Sequence, residues 1–75
     1  MDFQIQDPLM VNILELCKKG ASKSKIVNNL AISHVVLRKS LAELVDKRFL
    51  QYIEREEKYY TTHRGLLFLE SIQQK

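Results

Sequence analysis

The 75-residue sequence predicts a small α+β fold, mainly α: three helices, an antiparallel hairpin and a closing helix. Three observations carry that expectation. Apolar residues recur at helical spacing over three stretches before residue 49, each opened by a capping residue. The period then becomes that of strands in two short runs, FLQYIE and KYYTT, separated by a charged tip. After Thr62 the helical period returns. A chain of this length is expected to form one domain, 1–75, around one modest core.

The elements follow in order. Asp7-Pro8 starts the first helix, because Asp is a good N-cap and Pro is preorganised for the first helical position. Leu9, Met10, Ile13, Leu14, Leu16 and Cys17 recur at helical spacing. Lys18 and Lys19 suit the C-terminal end of the macrodipole and Gly20 ends the helix, expected over 8–19. Cys17 lies in an apolar run, as core cysteines do. It is the single cysteine, with no partner for a disulfide and no histidine cluster to complete a metal-ligand set. One free thiol fits a reducing compartment.

Either Ser22 or Ser24 can cap a short second helix, expected over 24–30, with Ile26, Val27 and Leu30 inward. Asn28 and Asn29 weaken it, and Ser33 is the next N-cap. The third helix is expected over 34–48. At 100° per residue Leu37, Leu41, Leu44 and Val45 share a sector of about 100°, wide enough for a core face. The opposite sector holds Val35, Lys39, Ala42, Glu43 and Asp46, with Arg38 on its flank.

A hairpin whose turn lacks Gly or Asn-Gly calls for a loop of about four residues, with Glu56 and Glu57 at its tip. Thr62 caps the last helix. Leu66, Leu69 and Ile72 form its expected stripe, widened by Leu67 and Phe68, and Gly65 lets it approach a strand closely. Of Tyr52, Tyr59 and Tyr60, one or two are expected to pack on helices.

Helix, helix, helix, hairpin, helix, with a tight turn between the second and third, is the layout of a winged helix-turn-helix. The chain also resembles the small winged-helix DNA-binding proteins of archaea. The matching residues are Ile13, Leu14, Gly20, Ala21, Ser24, Ile32, Ser33, Leu41, Leu44, Leu50, Tyr59, Thr62, Gly65, Phe68 and Leu69, spread over 8–72. The resemblance implies a regulator or chromatin-associated protein that binds DNA, often as a dimer. In some relatives the last helix extends into a coiled coil. This sequence stops at Lys75, so any dimer is expected to use a shorter surface. Two departures stand out. Arg48 occupies a position where the family often has Gly, and the wing tip EREEK carries three acids against two bases.

Net charge is +3, unevenly spread. Between 16 and 42 there are six basic residues (Lys18, Lys19, Lys23, Lys25, Arg38, Lys39) and no acid, so +6; the other six basic and nine acidic residues give −3. Such a segment is either a solvated face or a surface for a polyanion. If the motif docks as helix-turn-helix proteins do, the third helix enters a major groove N-terminal half first. Ser33 then caps the entering end. His34 and Arg38 donate to base edges, and the Arg fork suits guanine O6 and N7. Val35 suits a thymine methyl, Lys39 a phosphate, and small Ala42 allows close approach. Ser22, Lys23, Ser24 and Lys25 gather at a helix start, where free N–H groups favour phosphate. Arg55 and Lys58 can each touch one phosphate from the wing. Lys18 and Lys19 serve either the first helix's end or phosphate.

The expected partner is double-stranded DNA, with the chain a homodimer. Phe3, Ile5, Met10, Leu67 and Phe68 are more apolar surface than one small core needs. No catalytic set, metal site, cofactor or small-molecule ligand is evident: neither His34 nor His63 has a nearby cysteine, and no Ser-His-Asp set can be assembled. The start MDFQIQD is unlike a basic-then-apolar export signal, and no run approaches the ~18 apolar residues of a membrane span. A soluble, cytoplasmic protein is expected. Two other functions remain open: a winged-helix module that binds protein, favoured by the acidic wing, and a non-specific chromatin protein.

Overall fold

The computed structural model describes residues 7–73. Asp7 caps α1 (Pro8–Leu16), its carboxylate accepting from the Leu9 N–H at 2.9 Å. The last turn of the expected first helix tightens into a 3-10 turn, Cys17–Lys19. Gly20 stops it at φ 92, a conformation open to glycine, and an added Cβ there would lie 2.6 Å from Tyr60 Cζ. α2 (Lys23–Leu30) is capped by Ser22, whose Oγ accepts from Lys25 N at 3.2 Å. Ser24 therefore lies inside the first turn, and the helix starts one residue earlier than expected.

Ala31, left-handed at φ 53, turns the chain, and Ser33 caps α3 (His34–Asp46) through a 3.1 Å bond from Val36 N. α3 ends two residues short of the expected 48. Arg48 N donates to Val45 O and Phe49 N donates to Leu44 O, both at 3.0 Å, with Arg48 at φ 69. This is a Schellman ending, whose left-handed residue is usually Gly. It accounts for the glycine at this position in the family the sequence resembles, and Arg48 adopts the same backbone at a steric cost.

β1 (Leu50–Ile53) and β2 (Lys58–Thr61) pair antiparallel, Leu50 opposite Thr61 and Tyr52 opposite Tyr59. The four-residue connection 54–57 is the expected loop, closed by Glu57 N donating to Ile53 O at 2.8 Å. α4 (His63–Gln73) follows, with Thr62 Oγ accepting from Gly65 N at 3.0 Å.

Ile13, Leu14, Cys17, Ile26, Leu37, Leu44 and Leu69 form the fully buried centre. Burial pushes the Cys17 thiol up to about 12, as expected of a structural cysteine. Two inward assignments are corrected. Val45 is 43 % exposed, while Ser40 is buried in its stead. The core direction of α3 runs between Ser40 and Leu41, so Val45 lies about 90° from its centre. On α4, Gly65 and Leu69 face inward; Leu66, Leu67 and Ile72 are exposed. The stripe is rotated because the helix must present Gly65 to β2. Phe68 is half-buried and stacks on Phe49 with ring centres 4.8 Å apart.

Backbone and hydroxyl bonds tie these elements together. Ala21 and Tyr59 exchange reciprocal backbone bonds of 3.0 and 2.8 Å. Buried Thr61 donates to Leu14 O at 2.6 Å. Thr62 N donates to Phe49 O at 3.0 Å and its hydroxyl to Arg48 O at 2.7 Å. Arg64 donates to Lys47 O at 3.1 Å and lies 5.5 Å over the Phe49 ring.

A Cβ at Gly65 would collide with the Phe49 carbonyl and lie 2.7 Å from Thr61 Cγ2. Gly65→Ala is expected to destabilise by about 3 kcal/mol, the upper end for overpacking, since the obstacle is backbone. Arg48→Gly should stabilise by up to about 1 kcal/mol by relieving the left-handed residue. Urea unfolding of the two variants checks both signs.

Candidate nucleic-acid interface

The short α2, the tight turn at 31–33 and α3 bring Lys23, His34 and Arg38 around one cleft. Two helix starts meet there. At the first, Ser22 Oγ and carbonyl take up the Lys25 and Ile26 N–H groups. The earliest N–H groups of α2 point outward with the positive end of its dipole. Lys23, Ser24 and Lys25 are all exposed around it, and Ser22 is half-buried. At the second start, exposed Ser33 caps α3 and His34 begins it.

The exposed surface of α3 divides in two. His34, Arg38, Ala42 and Val45 recur on the flank that faces the wing. Together with Lys23, Leu37, Leu41 and Tyr59 they line a cleft of about 300 Å³ between α3 and β2. Val35, Lys39, Glu43 and Asp46 lie on the outer flank, all exposed. Val35 is 57 % and Val36 40 % exposed. Sequence reasoning foresaw His34, Arg38 and Ala42 on the open face, and the structure joins them to Lys23 of α2 in one cleft. It missed Val45 and Tyr59. The signal for Val45 was in its angle, about 20° from His34 around the helix. The signal for Tyr59 was strand alternation, which sets it on the same face as buried Thr61.

Tyr59 is half-buried, and its ring lies 4.7 Å from that of exposed Tyr52. Burial first, and then Tyr52, push the Tyr59 phenol upward. Tyr60 faces the other side of the hairpin, covering Gly20. Its hydroxyl donates to Glu56 at 2.5 Å, and this bond raises the Tyr60 phenol above its ordinary value.

The remaining charges modify the picture. Lys18 pairs with Glu15 at 3.0 Å, just before the acid-free segment, so part of its charge is already answered. Asn29 is turned back onto Lys25 O at 2.8 Å rather than outward. Glu43 meets Lys47 at 3.8 Å across one helical turn. Arg55 and Lys58 are exposed at the wing, but Glu54, Glu56 and Glu57 share that tip and are exposed as well. Among the described residues no group of three His, Cys, Asp or Glu could hold a metal ion. No described helix is long and apolar enough to cross a membrane.

A short helix, a three-residue turn, a second helix with an open basic face and a hairpin beside it define a winged helix-turn-helix, a class of DNA-binding domain. The family model described as winged helix-turn-helix matches residues 6–75, and the chain belongs to that family. No curated protein and no solved structure matches the chain.

The outer-flank acids oppose any phosphate brought near them. Asp46→Asn should tighten binding to a random duplex a few-fold at low salt, with the gain shrinking as salt screens it. Fluorescence anisotropy at two salt concentrations measures this.

Proposed function

We propose that this chain is a transcription regulator of the small archaeal kind its motifs resemble. In this reading it works as a nucleoid-associated homodimer in the cytoplasm, and it binds rather than catalyses. α3 reads duplex DNA in the major groove, led by His34, Val35, Arg38 and Lys39, with Ala42 allowing close approach. Ser22, Lys23, Ser24 and Lys25 hold a phosphate at the start of α2, and Ser33 fixes the entering end of α3. The observation that carries this is the shared surface itself. Cations from two helices converge at one cleft edge, and Val35 and Val36 are exposed elsewhere on the same helix, which a merely solvated face would not favour. Arg55 and Lys58 contribute at most peripheral phosphate contacts, because the acids around them repel the backbone.

The homodimer draws support from α4, where Leu66, Leu67 and Ile72 remain exposed on a described helix. Met10 and Phe68 do not add to that surface, because they are engaged by the core and by Phe49. Phe3 and Ile5 lie outside the described residues. The acidic wing favours a second reading, a winged-helix module for protein partners.

Selection of bound sequences from a random duplex pool tests the main reading. A consensus should emerge with the unaltered chain. Arg38→Ala should relax it at one position, at about 1–3 kcal/mol per lost bidentate base contact. Lys39→Ala should weaken all sequences alike. A pool that stays random while binding persists would point to a chromatin protein, and no binding at all to the protein-partner reading.

With about six phosphates engaged per protomer, log K against log salt should fall with a slope near −5, from roughly −0.9 per contact. A slope near zero contradicts DNA binding. Analytical ultracentrifugation should show a dimer at high concentration, reverting to monomer in Leu67→Lys; monomer throughout would exclude the homodimer.

A further inference from the structure

The cleft between α3 and β2 carries two chemistries at once. Its walls are apolar: Val45, 43 % exposed, and Ala42 on one side and the Tyr59 ring on the other, over a base closed by buried Leu37 and Leu41. Its rim is Lys23, His34 and Arg38, and no carboxylate lines it. Lysine and arginine only donate, and histidine has at least one N–H in either protonation state. The rim therefore selects an anion. At about 300 Å³ the space is at the small end of ligand pockets.

A DNA phosphate would satisfy the rim but leave the apolar walls uncovered. A flat apolar body carrying one carboxylate meets both. Its carboxylate matches the two parallel donors of the Arg38 guanidinium. Its ring covers Val45 and Ala42 and lies against Tyr59, where aromatic surfaces gain from offset or edge contact. We propose that this cleft binds a small aromatic carboxylate, and that the bound ligand excludes DNA because both occupy His34 and Arg38. The exclusion rests on the DNA-binding function proposed above; the ligand site does not.

The test uses 2-naphthoate as probe and the full chain labelled with nitrogen-15. Amide shifts should saturate and concentrate at 34–45 and at Tyr59. The neutral 2-naphthalenemethanol and inorganic phosphate should each bind about tenfold or more weakly, since each meets one half of the site. Arg38→Ala should cost a similar factor. Val45→Phe, which fills the cleft from an exposed position, should abolish saturation while the circular dichroism spectrum and Tm stay those of the unaltered chain.

In a competition assay naphthoate should weaken duplex binding of the unaltered chain and leave that of Val45→Phe unchanged. The ligand site is refuted by absence of saturation, by equal binding of the alcohol, or by equal binding of phosphate. Duplex binding undisturbed at saturating naphthoate refutes the exclusion. A chain that binds naphthoate but no duplex refutes the DNA function and leaves the ligand site standing.

Discussion

The reciprocal backbone bonds between Ala21 and Tyr59 hold the arrangement together. They are only two bonds, 3.0 and 2.8 Å long, but they join the segment entering α2 to the inner strand of the wing. A two-stranded hairpin alone is marginal in water. Here a third partner steadies it, and Thr61 anchors its inner end to α1 through the Leu14 carbonyl. The wing therefore stands at a fixed distance from α3. The cleft and its Tyr59 wall follow from that distance. Gly65 completes the constraint from the other side, since only a residue without a side chain lets α4 close over Phe49 and Thr61.

The fold was legible in the sequence because its signals were local and mutually consistent. Asp7, Ser33 and Thr62 cap the helices they were expected to cap, and a loop of four residues joins the strands. What escaped was rotation. Val45 reads as inward because it is apolar and adjacent to Leu44, yet the turn of the helix carries it out and carries Ser40 in. The same happened on α4, where leucines at three faces could not reveal which one meets the core, and a glycine decided it. Hydrophobicity indicates that a helix has an inside; the direction of that inside is set by partners distant in sequence.

The site was legible in part for the same reason. Charge is visible without knowing the fold, so the acid-free basic segment stood out. The cleft was not visible, because it needs Lys23, Arg38 and Tyr59 to meet across three elements. The cleft also defines the position of the acids. Glu43 and Asp46 lie on the flank away from the wing, so they limit the outer edge of α3 without entering the cleft.

If α3 reads duplex DNA as proposed, that limit has a consequence in information. From His34 to Ala42, before Glu43, α3 offers nine residues, a length of about 13 Å at 1.5 Å per residue. At about 3.4 Å per base-pair step this covers roughly four pairs, or about eight bits if every pair is fully distinguished. An address unique among about a million competing sites needs roughly twenty bits. Two copies side by side would supply about sixteen, and sequence-dependent bending of the DNA between them could supply the rest. In that reading one protomer spells a syllable, and a genomic location takes at least a pair.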